Sequence, residues 1–154
     1  MTYYLSLGSN LGDREGTIRQ ALQRIEQQIG PVRRCSSFYY SKPWGFESEH
    51  DFCNLCCAVE TDKTPLEVLH LTQTIERALG RKEKSAISNQ QLEIRNQKLE
   101  IRNYTDRCID IDLIRVFDEQ GQEICLDTPE LTLPHKFWQQ RDFVKIPLGE
   151  IMQP

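Results

Sequence analysis

Asp110 and Asp112 stand one residue apart in RCIDIDLI, residues 107–114, where Ile109, Ile111 and Leu113 make up the alternate, apolar positions. In a β-strand, residues i and i+2 share a face with roughly 6.5–7 Å between their Cα atoms, so the two acids project together. Carboxylates that close repel unless a cation lies between them. Hard oxygen donors favour Mg²⁺, which takes one or two protein carboxylates and completes its shell with water and substrate phosphates. Taken alone, the D-x-D pair is weak evidence and reads better as an exposed strand face carrying two solvated acids.

The neighbourhood changes that balance. Arg107 opens the same segment, and Arg81 follows the Gly80 that ends an upstream helix. From Arg77 to Arg107 there are eight Lys or Arg against four Asp or Glu, in a chain whose formal net charge is -4. A local basic stretch in an acidic protein suits a small polyanion such as a nucleotide better than a long one, although a solvated charged loop reads the same way. Arginines with Mg²⁺ are what phosphoryl-type transfer needs, since positioning and charge neutralisation do most of the work. Gln73 and Glu76 place polar groups on one stripe of the helix that runs into this loop. GSNLG, residues 8–12, is too short for a phosphate-cradling glycine loop and lacks its G-K-[ST] ending, so side chains and metal would hold any nucleotide. His135, after Pro134, is a further phosphate donor only by virtue of its company.

These residues need a frame. At 154 residues, 38% apolar and 27% charged, the chain is expected to form one domain with a substantial core, and no run is long enough to cross a membrane. The start, MTYYLSLGSN, does not resemble an export signal, so a cytoplasmic location is expected. Six cysteines are then expected to be reduced core residues. Cys53 and Cys56 form a C-x-x-C, but on a strand positions three apart face opposite ways and cannot share a metal.

YYLSLGS reads as a first strand, and a helix from about Asp13 to Ile29 follows, with Ile18, Ala21, Leu22, Ile25 and Ile29 as its apolar stripe. VRRCSSFYYS reads as a strand, KPWGFESEHD as a loop and FCNLCCAVET as a strand. Thr64-Pro65-Leu66-Glu67 carries the signature of a helix start, and Gly80 that of its stop. After the polar stretch 81–106 come the strand CIDIDLIRVF, a turn at DEQGQE, a return strand at ICLDTP and a short helix in PHKFWQQRDFV. The order predicts an α+β class: a ferredoxin-like βαββαβ sandwich, mainly antiparallel, with helices on its faces and a C-terminal hairpin and tail. Within the polar stretch, QQLEIRN (90–96) is followed by QKLEIRN (97–103), a pattern best read as a tandem duplication tolerated in a loop.

In order and spacing, SLGSNLGD, SSFYYSKPWG, DFCNLCCAVET, LTQTIERALGR, DRCIDIDLI and LTLPHKFWQQRDFVKIPL resemble the 6-hydroxymethyl-7,8-dihydropterin pyrophosphokinases of folate biosynthesis. R-x-x-D-x-D followed by two aliphatic residues, together with GSN and LPH, is the specific part of a resemblance that covers nearly the whole chain. It implies pyrophosphate transfer from ATP to the hydroxymethyl group of the pterin, with release of AMP. It further implies that Asp110 and Asp112 bind two Mg²⁺ and that Arg81 and Arg107 stabilise the phosphates in transit. Thr132, His135 and Arg141 would hold the nucleotide, with Gln73, Glu76 and Leu113 along its side and Lys84 reaching from the loop. Asn54 would pair with the pterin edge, Phe52 and Phe143 would close on its faces, and Ser41, Pro43, Trp44, Gly45 and Tyr104 would complete the pocket. The partners implied are these two small molecules, with neither nucleic acid nor membrane, and a monomer is expected.

Departures from the family pattern lie at Glu83, Tyr104, Asp106, Glu130 and Lys136, and the largest is the duplicated loop, which is expected to alter closure or product release. Two rival readings compete with this one. A two-metal nuclease or nucleotidyl transferase would use the same D-x-D without pterin affinity. A non-catalytic ferredoxin-like module would bind RNA or a small effector, yet the chain is acidic and lacks the paired strand aromatics of sheet-surface RNA binders.

Overall fold

The structure, a computed structural model, describes residues 1–10, 12–41, 51–80 and 109–152. Strand β1 (Thr2–Ser9) leads into helix α1 (Arg14–Gln28), then β2 (Val32–Cys35), β3 (Tyr39–Ser41), β4 (Phe52–Glu60) and helix α2 (Pro65–Leu79). β5 (Asp110–Phe117), β6 (Leu126–Asp127), β7 (Thr132–Leu133) and a C-terminal helix, α3 (Asp142–Met152), complete the order. The main sheet runs β2-β4-β1-β5, every pair antiparallel, and β3 pairs with β4 beyond the end of β2. That is the strand order of the expected ferredoxin-like sandwich.

Local chemistry sets the boundaries. Asp13 caps α1 by accepting the Gly16 N–H at 3.1 Å, and Ile18, Ala21 and Ile25 of the expected stripe are buried. Gly30 ends that segment where a Cβ would stand 2.1 Å from the Glu60 carbonyl oxygen, so only glycine lets the chain pass. α2 carries the capping box: Thr64 Oγ accepts from the Glu67 N–H, the Glu67 carboxylate accepts from the Thr64 N–H, and Pro65 opens the first turn.

VRRCSSFYYS, read as one strand, is instead two. At Ser36 the side chain takes over the ladder: Ser36 N–H donates to the Cys56 carbonyl, while Ser36 Oγ accepts the Cys56 N–H, both at 2.9 Å. A hydroxyl standing in for a main-chain carbonyl ends β2 and lets the chain bend before β3.

Both faces of the sheet are covered. Tyr3, Leu5, Leu7, Cys53, Leu55, Cys57, Val59, Ile111 and Leu113 pack under α1 and α2. Cys56, Ala58 and Ile114 pack on the opposite face against Val144, Leu148 and Ile151 of α3. Cys53 and Cys56 thus lie in different layers, as alternation required; Cys53, Cys56 and Cys57 are buried free thiols, whereas Cys35 and Cys125, expected in the core, are exposed free thiols. Among the described residues no helix is long and apolar enough to cross a membrane.

The C-terminal part corrects the reading twice. The short helix and tail are a one-turn 3-10 segment, Trp138–Gln140, and then the eleven-residue α3. Pro147 inside α3 reads as a breaker, but Val144, Leu148 and Ile151 recur on one face, and burying them outweighs the N–H that proline lacks. The hairpin, too, is β6 with β7 rather than β5 with a return strand; Phe117 meets Glu123 in a single bridge. Gly121, at φ +81°, makes the turn between them.

Candidate active site

β5 is an edge strand, and Asp110 and Asp112 lie on its α3 face, half-buried, while Ile109, Ile111 and Leu113 are buried on the helix face. Register then assembles a surface. Asp110 pairs with Gly8 of β1, and Gly8 pairs on its other side with Asn54 of β4. In the next row Asp112 pairs with Ser6, and Ser6 with Cys56. The carboxylate pair and the Asn54 amide therefore share one face of three adjacent strands, separated only by a residue without a side chain.

Asn54 is 2% exposed and oriented by its own strand pair. Its Nδ2 donates to Ser41 Oγ at 2.8 Å and to the Tyr39 carbonyl at 3.2 Å, so Oδ1 is the atom turned toward Gly8. A Cβ on Gly8 would come within 2.9 Å of that oxygen and 3.6 Å of the Phe52 ring. Ser41, Phe52 and Asn54 are thus brought together, with Gly8 as the floor beside them.

On the other side of the acids, the 131–143 segment closes in. The His135 N–H donates to the Ile114 carbonyl at 2.8 Å, which ties it to β5 just past Asp112. A bulge there, with Leu113 opposite Leu5 and Arg115 opposite Tyr4, adds Ile114 to the strand and turns it toward α3. His135 Nδ1 accepts the Phe137 N–H at 3.3 Å, which leaves Nε2 to carry the proton of the neutral ring. Burial lowers the His135 pKa below 6.5, the Arg141 cation lowers it further, and Asp110 acts in the opposite sense. The Arg141 guanidinium lies over the rings of both Phe137 and Phe143, 5.7 Å and 5.9 Å from their centres. Phe143 stands in the first turn of α3, and Thr132 in β7 pairs with Asp127.

Glu76, Gln73 and Leu113 are not on the carboxylate face. Glu76 is 5% exposed and accepts the outward Ile111 N–H at 2.8 Å, while Gln73 is exposed and Leu113 is buried in the helix-side core. Alternate residues of an edge strand point their main-chain groups outward, so Leu113 presents its N–H and C=O to the β5 edge between Ile111 and Ile114. Pro43, Trp44, Gly45, Arg81, Lys84, Tyr104, Arg107 and the repeat at 90–103 lie outside the described residues.

Sequence reasoning missed Gly8 and Ser6 as members of the site, and it missed α3 as its wall. Only register reveals the first two: a glycine in an otherwise apolar strand is a weak signal until the residues opposite it are known.

The half-buried acids Asp110 and Asp112, the His135 imidazole and the Arg141 guanidinium come together at this end of the sheet, groups of the kind a transferase of phosphate-bearing substrates uses. The family model for 7,8-dihydro-6-hydroxymethylpterin-pyrophosphokinase matches residues 4–153. A 2-amino-4-hydroxy-6-hydroxymethyldihydropteridine pyrophosphokinase of Porphyromonas gingivalis is 41% identical over 96% of this chain and 88% of its own length. The Aquifex aeolicus protein of the same name is 34% identical over 97% and 79% respectively. The folic acid synthesis protein FOL1 of Dictyostelium discoideum is 32% identical over 96% of this chain, which matches 19% of that longer protein. The chain belongs to the 7,8-dihydro-6-hydroxymethylpterin-pyrophosphokinase family and is an enzyme of that kind, acting in folate synthesis.

Proposed function

We propose that the pyrophosphate of ATP passes to the hydroxymethyl group of 6-hydroxymethyl-7,8-dihydropterin along the row Asn54-Gly8-Asp110. The observation that carries this reading is the register of that row, which puts an amide oxygen and a carboxylate on one face with about 10 Å between their Cα atoms, twice the strand spacing. A pterin ring lying over Gly8 spans that distance, its ring donors on Asn54 Oδ1 and its hydroxymethyl arm toward Asp110. Phe52 and Phe143 supply contact for the flat faces, and Ser41 keeps the amide from rotating.

The donor set fits Mg²⁺. Two carboxylates on one face provide hard oxygen, and among the described residues no third metal-ligating side chain gathers with them to make a protein cage. Asp110 and Asp112 would hold the two ions, which when bound neutralise the triphosphate and polarise the bonds at its β-phosphorus. A bond forms from the hydroxymethyl oxygen to the β-phosphorus as that hydroxyl releases its proton to water, the bond from that phosphorus to the α-phosphate's bridging oxygen breaks, and AMP leaves with the electron pair on that oxygen. His135 Nε2–H and the Arg141 guanidinium donate to the phosphates, joined by Arg81, Lys84 and Arg107 of the basic stretch. The nucleotide lies against the β5 edge, where Leu113 offers main-chain groups and Thr132 a hydroxyl, with Gln73 and Glu76 on the far side of that edge.

Incubating the protein with ATP, Mg²⁺ and the pterin and identifying both products tests the reading. AMP and pterin diphosphate in equal amounts, abolished by EDTA, support it. ADP with pterin monophosphate, or turnover indifferent to EDTA, overturns it.

A further inference from the structure

Arg14 opens α1, where the positive end of the helix dipole disfavours a cation, so helix stability is no reason for it to stand there. Its contacts point elsewhere. One guanidinium nitrogen donates to the Asp51 carbonyl at 2.7 Å, across 37 residues of chain. The same guanidinium lies over the Tyr40 ring, 5.5 Å from its centre. The Tyr40 hydroxyl donates in turn to the carboxylate of Glu15, the residue after Arg14. Gly12, at φ +62°, makes the turn that delivers both side chains, and the Arg14 N–H closes it on the Gly12 carbonyl at 3.0 Å.

Asp51 and Tyr40 are the residues immediately before Phe52 and Ser41. Asp51 directly precedes β4 and Tyr40 is the middle residue of β3, the two strand segments on which the Asn54 amide depends for its orientation. Two paired strand ends are free to fray unless something outside the pair holds them. We propose that Arg14 is a positioning residue for the pterin subsite, a clamp from α1 that fixes β3 and the start of β4 relative to each other and so fixes Ser41, Phe52 and Asn54. It touches neither nucleotide nor reacting atoms, and its effect is confined to the pterin side of the Gly8 row. The inference rests on the assignment of that row to the pterin.

The test uses Arg14→Ala and Arg14→Lys in the full-length enzyme, with KM measured for pterin and for ATP. Losing a charged donor's hydrogen bond that serves only to order a subsite is expected to raise the pterin KM about tenfold. The ATP KM is expected to stay unchanged, and kcat to change less than the pterin KM. Arg14→Lys keeps the charge and loses the planar contact with Tyr40, so its pterin KM falls between the two. A structural role alone would lower thermal stability and move both KM values together; that outcome, or an unchanged pterin KM, overturns the clamp. Hydrogen exchange of residues 39–41 and 51–54, measured in the same variants, is expected to accelerate selectively, and unchanged exchange there counts against the proposal whatever the activity. Failure of the wild-type enzyme to turn over the pterin would instead remove the functional reading.

Discussion

Asp110 and Asn54 stand in one row of the sheet, on opposite sides of Gly8 and each in register with it. The glycine is what makes that row a site: a Cβ there would press on Asn54 Oδ1 at 2.9 Å. Gly8→Ala is therefore expected to fold, because an extended strand tolerates alanine, but to turn the amide or occupy the ring's place. Misplacing an orienting group by 1 Å costs about 100-fold, so kcat/KM for the pterin should fall by that order while the ATP KM holds. Unchanged pterin kinetics in Gly8→Ala would mean that the ring does not lie over this residue.

Asp110→Asn and Asp112→Asn keep shape and remove charge. If these acids hold the ions, each variant should lose about three orders of magnitude in turnover and need far more Mg²⁺ for half-maximal rate. Circular dichroism should show the fold retained, since both side chains lie on the surface of an edge strand rather than in either core. Full activity at ordinary Mg²⁺ in either variant would place the metal site elsewhere.

How much of this was legible in the sequence follows from the range of each interaction. The capping box at Thr64-Glu67, the stripe Ile18, Ala21, Ile25 and the paired acids are local patterns, and the structure keeps them where periodicity put them. The break at Ser36 was not legible, because whether a serine hydroxyl replaces a ladder carbonyl depends on Cys56, twenty residues away. The same holds for Gly8, whose meaning is set by its neighbours on two other strands. α3 was missed for a different reason: Pro147 argues locally against a helix that tertiary burial of Val144, Leu148 and Ile151 sustains.

Glu123 and Arg115 form a two-pronged ion pair, Nε to Oε2 and Nη2 to Oε1, both 2.8 Å, with the guanidinium also 4.9 Å and 5.2 Å from the ring centres of Phe117 and Trp138. It joins the Gly121 turn to β5 and to the segment before α3. With both side chains about three-quarters buried, Glu123→Gln should cost about 1–2 kcal/mol. The bond to Arg115 holds the Glu123 pKa below 4.5, so this stabilisation is present above 4.5 and is lost as pH falls through the depressed native value. Denaturant melts of wild type and variant should accordingly converge in acid and differ at neutral pH; a constant difference across that range would mean that the charge contributes nothing.

His135 offers a direct reading of the electrostatics around the acids. Because burial and Arg141 lower its pKa while Asp110 raises it, two substitutions should move it in opposite directions. NMR titration of its ring protons in the metal-free protein should show a lower midpoint in Asp110→Asn and a higher one in Arg141→Gln. The native protein takes up this proton at lower pH than the unfolded chain, so the linked stability is fully present above 6.5 and declines as pH drops from there through the depressed value. A phosphate bound at Nε2 favours the imidazolium, so ATP with Mg²⁺ should raise the midpoint above that of the free enzyme. If both substitutions leave the titration where it was, His135 does not share a field with Asp110 and Arg141, and its place against the phosphates falls with it.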